Sequence, residues 1–373
     1  MATNKRILEI GNWPPPVCGW SMSLVDLRKE LESRGWDCAV MNLNENRRVR
    51  SPEYVDVQSG ADYLWKVSRF VSRGYAVHVR VNGETKKGYW LAMAALILAR
   101  LTFRASFLTY AGGHQQSYFP APKISLRYVA FWLLFRVPHR IYCNSGAVKK
   151  VLLTTGIPAE KVEPIPHFSA HYVEFTPAAL APEVEDFYRR HEGVFISYVC
   201  FRKEFALEFL ADAIRRFRRA HPKFGFLWVG IPARELEATS KLVEDQGITD
   251  AVLLQGSVPH DVFLSMLTRS LAYIRSPLTD GVSSSVMEAL KLKIPVLAAD
   301  NGTRPAGTKL WRAGDVESLL SAMTEASSNR AAMVAEIPET AIDDNTGKLA
   351  DSIERLILKN QFASGGRELH VEN

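Results

Sequence analysis

The sequence predicts an α/β protein of two domains, each an open, mainly parallel sheet covered by helices. Three observations carry this expectation. A chain of 373 residues suits two domains at roughly 150 residues each. Short apolar runs alternate with stretches of helical periodicity along most of the chain, the order expected of βαβ units. Finally, Arg275–Asn301, RSPLTDGVSSSVMEALKLKIPVLAADN, reads with the residues before it as one complete crossover. The apolar run Leu271–Ile274 is a buried strand, a loop broken by Pro277 and Gly281 follows, three serines open a helix, and Ile294–Ala299 is the next strand.

In the first half, Lys5–Ile10 is a strand and Gly11–Gly19, with Pro14, Pro15 and Pro16, a stiff loop at its C-terminal end. Ser21–Ser33 is an amphipathic helix with Leu24, Leu27 and Leu31 inward, stopped by Gly35. A strand over 37–43, a helix over 62–72, a strand over 75–81 and a loop over 82–88 come next. An apolar helix over 89–101 and a strand over 105–110 lead to the loop Ala111-Gly112-Gly113-His114. Lys123–Val137 is a second strongly apolar helix, fringed by Lys123, Arg127 and Arg136. Such a helix suits either a domain core or a surface resting on anionic lipid. Tyr142–Ser145 then enters a helix over 146–155.

The segment 176–192, rich in Pro and Ala and then charged, reads as a linker. Beyond it, Val194–Val199 is a strand, and Phe201-Arg202-Lys203-Glu204-Phe205 opens a helix on which Phe205, Phe209, Ala213 and Phe217 recur. Phe224–Val229 is a strand ending at Gly230. Val252–Gln255 is another, followed by the turn Gly256-Ser257-Val258 and a helix over 261–268. After the crossover come a helix over 316–326 and a last one over 344–359, with a polar tail expected to fray. The expected division is therefore 1–175, a linker 176–192, a second domain 193–343, a terminal helix 344–360 and a tail 361–373.

Composition narrows the function. The chain is 47% hydrophobic and 23% charged, ordinary for a globular protein. Its four cysteines show no C-x-x-C pairing, which fits a reducing compartment and argues against a zinc site. The N-terminus lacks the apolar core of a signal peptide, and the longest apolar stretch, Trp90–Ala99, is too short to span a bilayer. The expectation is a cytoplasmic protein, or one on the cytoplasmic face of the membrane. Residues 1–178 hold 23 Lys and Arg against 13 Asp and Glu, and the remainder 23 against 27. A basic first half suits an anionic membrane or an anionic substrate. No helix-turn-helix, zinc-finger or RNA-recognition pattern is present, so nucleic acid is not an expected partner.

The crossover carries the chemistry. A helix N-terminus beside Gly281 is a place for phosphate, because its free N–H groups and dipole attract an anion. Asp280 in the loop and Glu288 in the second turn flank that end, and a carboxylate accepts from two sugar hydroxyls at once. Together they suggest a phosphorylated sugar compound.

The stretch also resembles the E-x(7)-E signature of retaining, GT-B-fold glycosyltransferases of family 4. Ser276-Pro277, Asp280-Gly281, Glu288-Ala289-Leu290 and Pro295-Val296 fall in the family's order, with Asp280 in place of the usual first Glu and Lys293 in place of a Gly. Gly156-Ile157-Pro158-Ala159-Glu160-Lys161-Val162 and Ile165-Pro166 resemble a second passage of the family, with His167-Phe168 for its Asn-Gly. The resemblance implies two Rossmann-like domains facing a central cleft, and no resident cofactor or metal. It implies a nucleotide-diphosphate sugar donor on the second domain and a glycan or lipid-linked acceptor on the first. By the same resemblance Arg202 and Lys203 hold the diphosphate with Gly281, Val282, Ser283 and Ser284. Glu288 accepts from the ribose, Asp280 from the donor sugar, and Gly256, Val258 and Pro277 complete the donor site. Gly19, Gly112, Gly113 and His114 stand on the acceptor side, where Ala111 occupies the place of the family's histidine. The departures leave two alternatives open: an idle GT-B module that binds a glycan, lipid or partner enzyme, and a sugar-nucleotide epimerase on the same fold.

Overall fold

A computed structural model describes the chain except residues 1–4, 15–18, 84, 114–118, 120–125, 202, 278–282, 303, 340–343 and 366–373. It separates into two compact units, Met1–Ser169 with Asp344–Asn373, and Ala170–Asp343.

The first unit runs β1 (Arg6–Gly11), α1 (Gly19–Ser33), β2 (Asp37–Asn42), α2 (Gly60–Ser72), β3 (Ala76–Val81), α3 (Lys86–Leu101), β4 (Ser106–Tyr110), α4 (Leu126–Arg136), β5 (Arg140–Cys143), α5 (Gly146–Thr154) and β6 (Val162–Pro164). The six strands form one parallel sheet in the order β2-β1-β3-β4-β5-β6. Alternation along β1 sets the two layers. Leu8 and Ile10 join a core with Tyr63 and Val67 of α2, Met93 and Leu96 of α3, and Phe131 and Phe135 of α4. Ile7, on the other face, packs with Leu27 and Leu31 of α1.

The second unit runs α6 (Pro182–Arg190), β7 (Gly193–Tyr198), α7 (Leu207–Ala220), β8 (Phe224–Ile231), α8 (Leu236–Asp245), β9 (Val252–Gly256), α9 (His260–Arg269), β10 (Ala272–Arg275), α10 (Ser284–Lys291), β11 (Val296–Ala299), β12 (Thr308–Trp311), α11 (Val316–Ser328) and α12 (Arg330–Glu336). Its sheet is also wholly parallel, in the order β12-β11-β10-β7-β8-β9. The last helix, α13 (Asn345–Gly365), returns to the first unit, where Leu349, Ala350, Ile353 and Ile357 pack with Leu27 and Leu31.

Some elements differ from the sequence reading. Within the segment read as a linker, α6 has Pro182 in its first turn and buries Val184 and Phe187 against Val194 and Leu227. Two apolar positions among charges are too few to show as a period. α7 starts at Leu207, not at the 201–205 loop, where Lys203–Phe205 is a single 3-10 turn. Gly19, expected in a loop, is the first residue of α1. Of the tail expected to fray, 361–365 belong to α13 and 366–373 lie outside the described residues, as do 123–125 at the start of the second apolar helix. Among the described residues no helix is long and apolar enough to cross a membrane.

Candidate functional site

In the second unit the chain winds from β7 outward to β8 and β9, then from β10 the other way to β11 and β12. The loops after β7 and β10 therefore leave the same sheet edge side by side, and such a switch point is where open parallel sheets hold ligands. Lys203 sits in the first of these loops with its side chain exposed. Pro277 and Ser283 sit in the second. Arg275, at the end of β10, ties the two together: its Nη1 donates to the Tyr198 carbonyl at 3.4 Å, and its guanidinium lies 5.2 Å from the Phe205 ring centroid. Arg202, Asp280, Gly281 and Val282 lie outside the described residues.

Glu288 occupies the second turn of α10 and is only 5% exposed. Its Oε1 lies 3.1 Å from Nε2 of His260, the first residue of α9. A carboxylate this buried needs a partner, and this bond also joins α10 to the turn after β9 that carries Gly256 and Val258. The Val258 side chain packs against the core. Gly256 is exposed, and a Cβ there would meet only the Ile231 carbonyl at 3.7 Å. No neighbouring group crowds position 256, so packing does not explain the glycine there.

Ser283 is the N-cap residue of α10, yet its side chain makes no capping bond. Its Oγ lies 3.0 Å from the Ser285 Oγ, which lies 2.6 Å from the Tyr273 hydroxyl. The Ser283 hydroxyl thus leaves uncapped the first N–H groups of α10, at Ser284 and beyond, which have no intrahelical acceptor. Arg304 braces the loop from below, donating from Nε to the Ala299 carbonyl at 3.0 Å and from Nη2 to the carbonyl of buried Pro277.

In the first unit the same reversal falls between β1 and β3. Gly112 has a local reason: a Cβ there would come within 2.1 Å of the Asn82 carbonyl oxygen. The Gly113 carbonyl accepts from the Tyr110 hydroxyl at 3.0 Å. His114 lies outside the described residues. The sequence reading missed a buried polar row under α1. His78 bridges Glu9 at 2.9 Å and Thr109 at 2.6 Å, and Arg80 donates to the Ser23 hydroxyl at 2.7 Å. The signal was present as Glu9, His78 and Arg80 inside otherwise apolar strands. His167 lies near this row: burial, then Arg80 and His78, push its imidazole down to about 3.

Residues 190–329 match the family model Glycosyl transferases group 1. The curated protein "Glycosyltransferase 1 domain-containing protein 1" of Xenopus tropicalis is 30% identical over 95 residues, 25% of this chain and 26% of that protein. The match thus spans about a quarter of the relative's length. A glycosyltransferase from Rickettsia africae superposes with a TM-score of 0.70 at 14% identity, over 95% of this chain and 99% of that one. Anabaena Alr3699/HepE, solved in complex with UDP, gives 0.68 at 14% identity, over 97% and 99%. A structure described as a UDP-N-acetylglucosamine 2-epimerase from Listeria monocytogenes gives 0.66 at 15% identity, over 93% and 94%. The chain has the GT-B fold.

Proposed function

We propose that the chain is a retaining glycosyltransferase of the family 4 type. It moves a sugar from a uridine-diphosphate sugar to a glycan or lipid-linked acceptor in cell-surface polysaccharide or glycolipid synthesis, in the cytoplasm and without a metal ion. The observation that carries this reading is the buried Glu288 carboxylate, fixed by His260 beside the switch-point loops inside the stretch that matches the glycosyl transferases. Uridine rests on the UDP bound by the Anabaena protein of like fold.

Glu288 accepts from the ribose hydroxyls while His260 holds the carboxylate in orientation. Lys203 with Arg202, and the N–H groups from Gly281 to Ser284, take the diphosphate. As the sugar C1–O bond to the diphosphate breaks, charge accumulates on the leaving phosphate, where these donors stabilise it most. The acceptor oxygen bonds to C1 on the face the diphosphate leaves, and its proton passes to the leaving phosphate. Asp280 accepts from the donor sugar.

Thermal-shift screening of nucleotide sugars identifies the donor, because a binder of the native state raises stability by mass action. Product analysis with the donor found, in EDTA, then decides. A new glycosidic bond with the donor's anomeric configuration supports the proposal. A donor sugar epimerised at a ring carbon favours the epimerase. Binding without turnover favours the idle module, which the shorter acid at 280 would suit.

A further inference from the structure

Between Glu84 and Glu160 the sequence holds ten lysines and arginines and not one Asp or Glu. This acid-free segment includes α3 and α4, which lie with α2 on one face of the first sheet. α3 buries Tyr89, Met93 and Leu96, yet it carries a second apolar stripe on the outside. Lys87, Trp90, Ala94, Ile97 and Leu101 follow one another at spacings of three and four. Trp90 is 54% exposed and Leu101 71%. Val129 and Leu133 are exposed one turn apart on α4. Cations accompany these side chains. Lys86 and Lys87 open α3, Arg136 lies 4.7 Å from the Trp132 ring centroid, and Arg100 and Arg136 both bear on Lys161, lowering its pKa after burial.

Phe103 is the sharpest sign. Helices α1, α2, α5 and α8 each end in the same left-handed turn, at Gly35, Gly74, Gly156 and Gly247. α3 ends the same way, with Phe103 N–H on the Arg100 carbonyl and Arg104 N–H on the Ala99 carbonyl, but the left-handed residue is Phe103 at φ +58, 95% exposed. The fold gains neither burial nor backbone ease from that ring.

We propose that the outer face of α3 and α4 docks on a bilayer of anionic phospholipid, with Trp90, Leu101, Phe103 and Leu133 entering the acyl boundary and Lys86, Lys87, Arg100 and Arg136 meeting headgroup phosphates. Lipid fits better than a protein surface because protruding apolar side chains flanked by cations, on a segment without acids from 85 to 159, match a sheet of phosphates above hydrocarbon. Aliphatic Ile97, Leu101 and Leu133 do not match nucleic acid. The docking stands apart from the catalytic reading, since its readout is binding alone.

The test is co-sedimentation of the full chain with vesicles of phosphatidylglycerol and phosphatidylcholine mixed equally, and of phosphatidylcholine alone. Binding to the mixed vesicles, weak binding to the neutral ones, and loss between 50 and 500 mM salt are expected. Lys86→Gln with Lys87→Gln should weaken binding about fivefold per lysine. Leu101→Ser with Phe103→Gly should weaken it at least about tenfold, with circular dichroism confirming the fold. Equal binding to both vesicles, no binding at low salt, or folded variants that bind like the parent would overturn the proposal. So would light scattering that shows a dimer dissolved by Leu101→Ser with Phe103→Gly, with vesicle binding intact, because the face would then belong to a second copy.

Discussion

Replacing Phe103 with glycine should make the first unit more stable. A left-handed conformation costs a side-chain-bearing residue roughly 1–2 kcal/mol. Glycine returns part of that gain through the greater freedom of its unfolded chain, roughly 0.5–1 kcal/mol. The ring is 95% exposed, so its removal forfeits almost no burial, and the two hydrogen bonds of the turn run from backbone to backbone and stay. The net is a gain of about 0.5–1 kcal/mol, or a melting temperature higher by about 1–4 °C for a unit of this size. Differential scanning calorimetry of parent and variant reads it directly. A variant that melts lower by a similar amount would refute the reasoning, since the ring would then be stabilising the fold it stands on.

Glu288→Ala should lower kcat/KM at least about a hundredfold, from two lost charged hydrogen bonds, with the protein still folded, and His260→Ala should lower it less and chiefly through KM; steady-state kinetics measure both. Gly112→Ala should cost about 1–3 kcal/mol because its methyl meets the backbone oxygen of Asn82, measured as a lower midpoint in urea. The stability of the first unit should fall as pH drops from about 6.5 toward 4. Burial, then Arg100 and Lys161, hold His139 down to about 4, and His167 is held down to about 3. Both histidines are neutral when folded and charge near the ordinary value when unfolded, so the unfolded chain binds more protons in that window. Melting temperatures at pH 7.5, 6, 5 and 4.5 that stay level would contradict this.

The central strands were legible because parallel strands covered on both faces are continuous apolar runs: Leu271–Ile274 and Phe224–Val229 could hardly be read otherwise. The C-terminal crossover was legible for the same reason, and with it the place of Glu288. What sequence could not supply were the partners. His78 and Glu9 stand 69 residues apart, and His260 and Glu288 stand 28 apart. In both cases a polar residue is explained only by a neighbour that folding brings to it. Short elements were hidden too. β6 has three residues, and α6 shows charge along most of its length while burying only Val184 and Phe187. The exposed stripe of α3 reads in sequence as one more buried apolar helix, because periodicity cannot tell which of two apolar faces meets solvent.

The return of the last helix also orders the birth of the protein. Residues 170–343 leave the ribosome as a complete unit, whereas the unit that begins the chain waits for its final segment. Until α13 emerges, Leu27 and Leu31 lack the cover of Leu349 and Ile353, and the Tyr142 hydroxyl lacks Ser352, its partner at 3.2 Å. The nascent first unit is therefore open on its α1 side until α13 is made, and a premature stop anywhere in 170–343 leaves the N-terminal sheet complete but without its last covering helix.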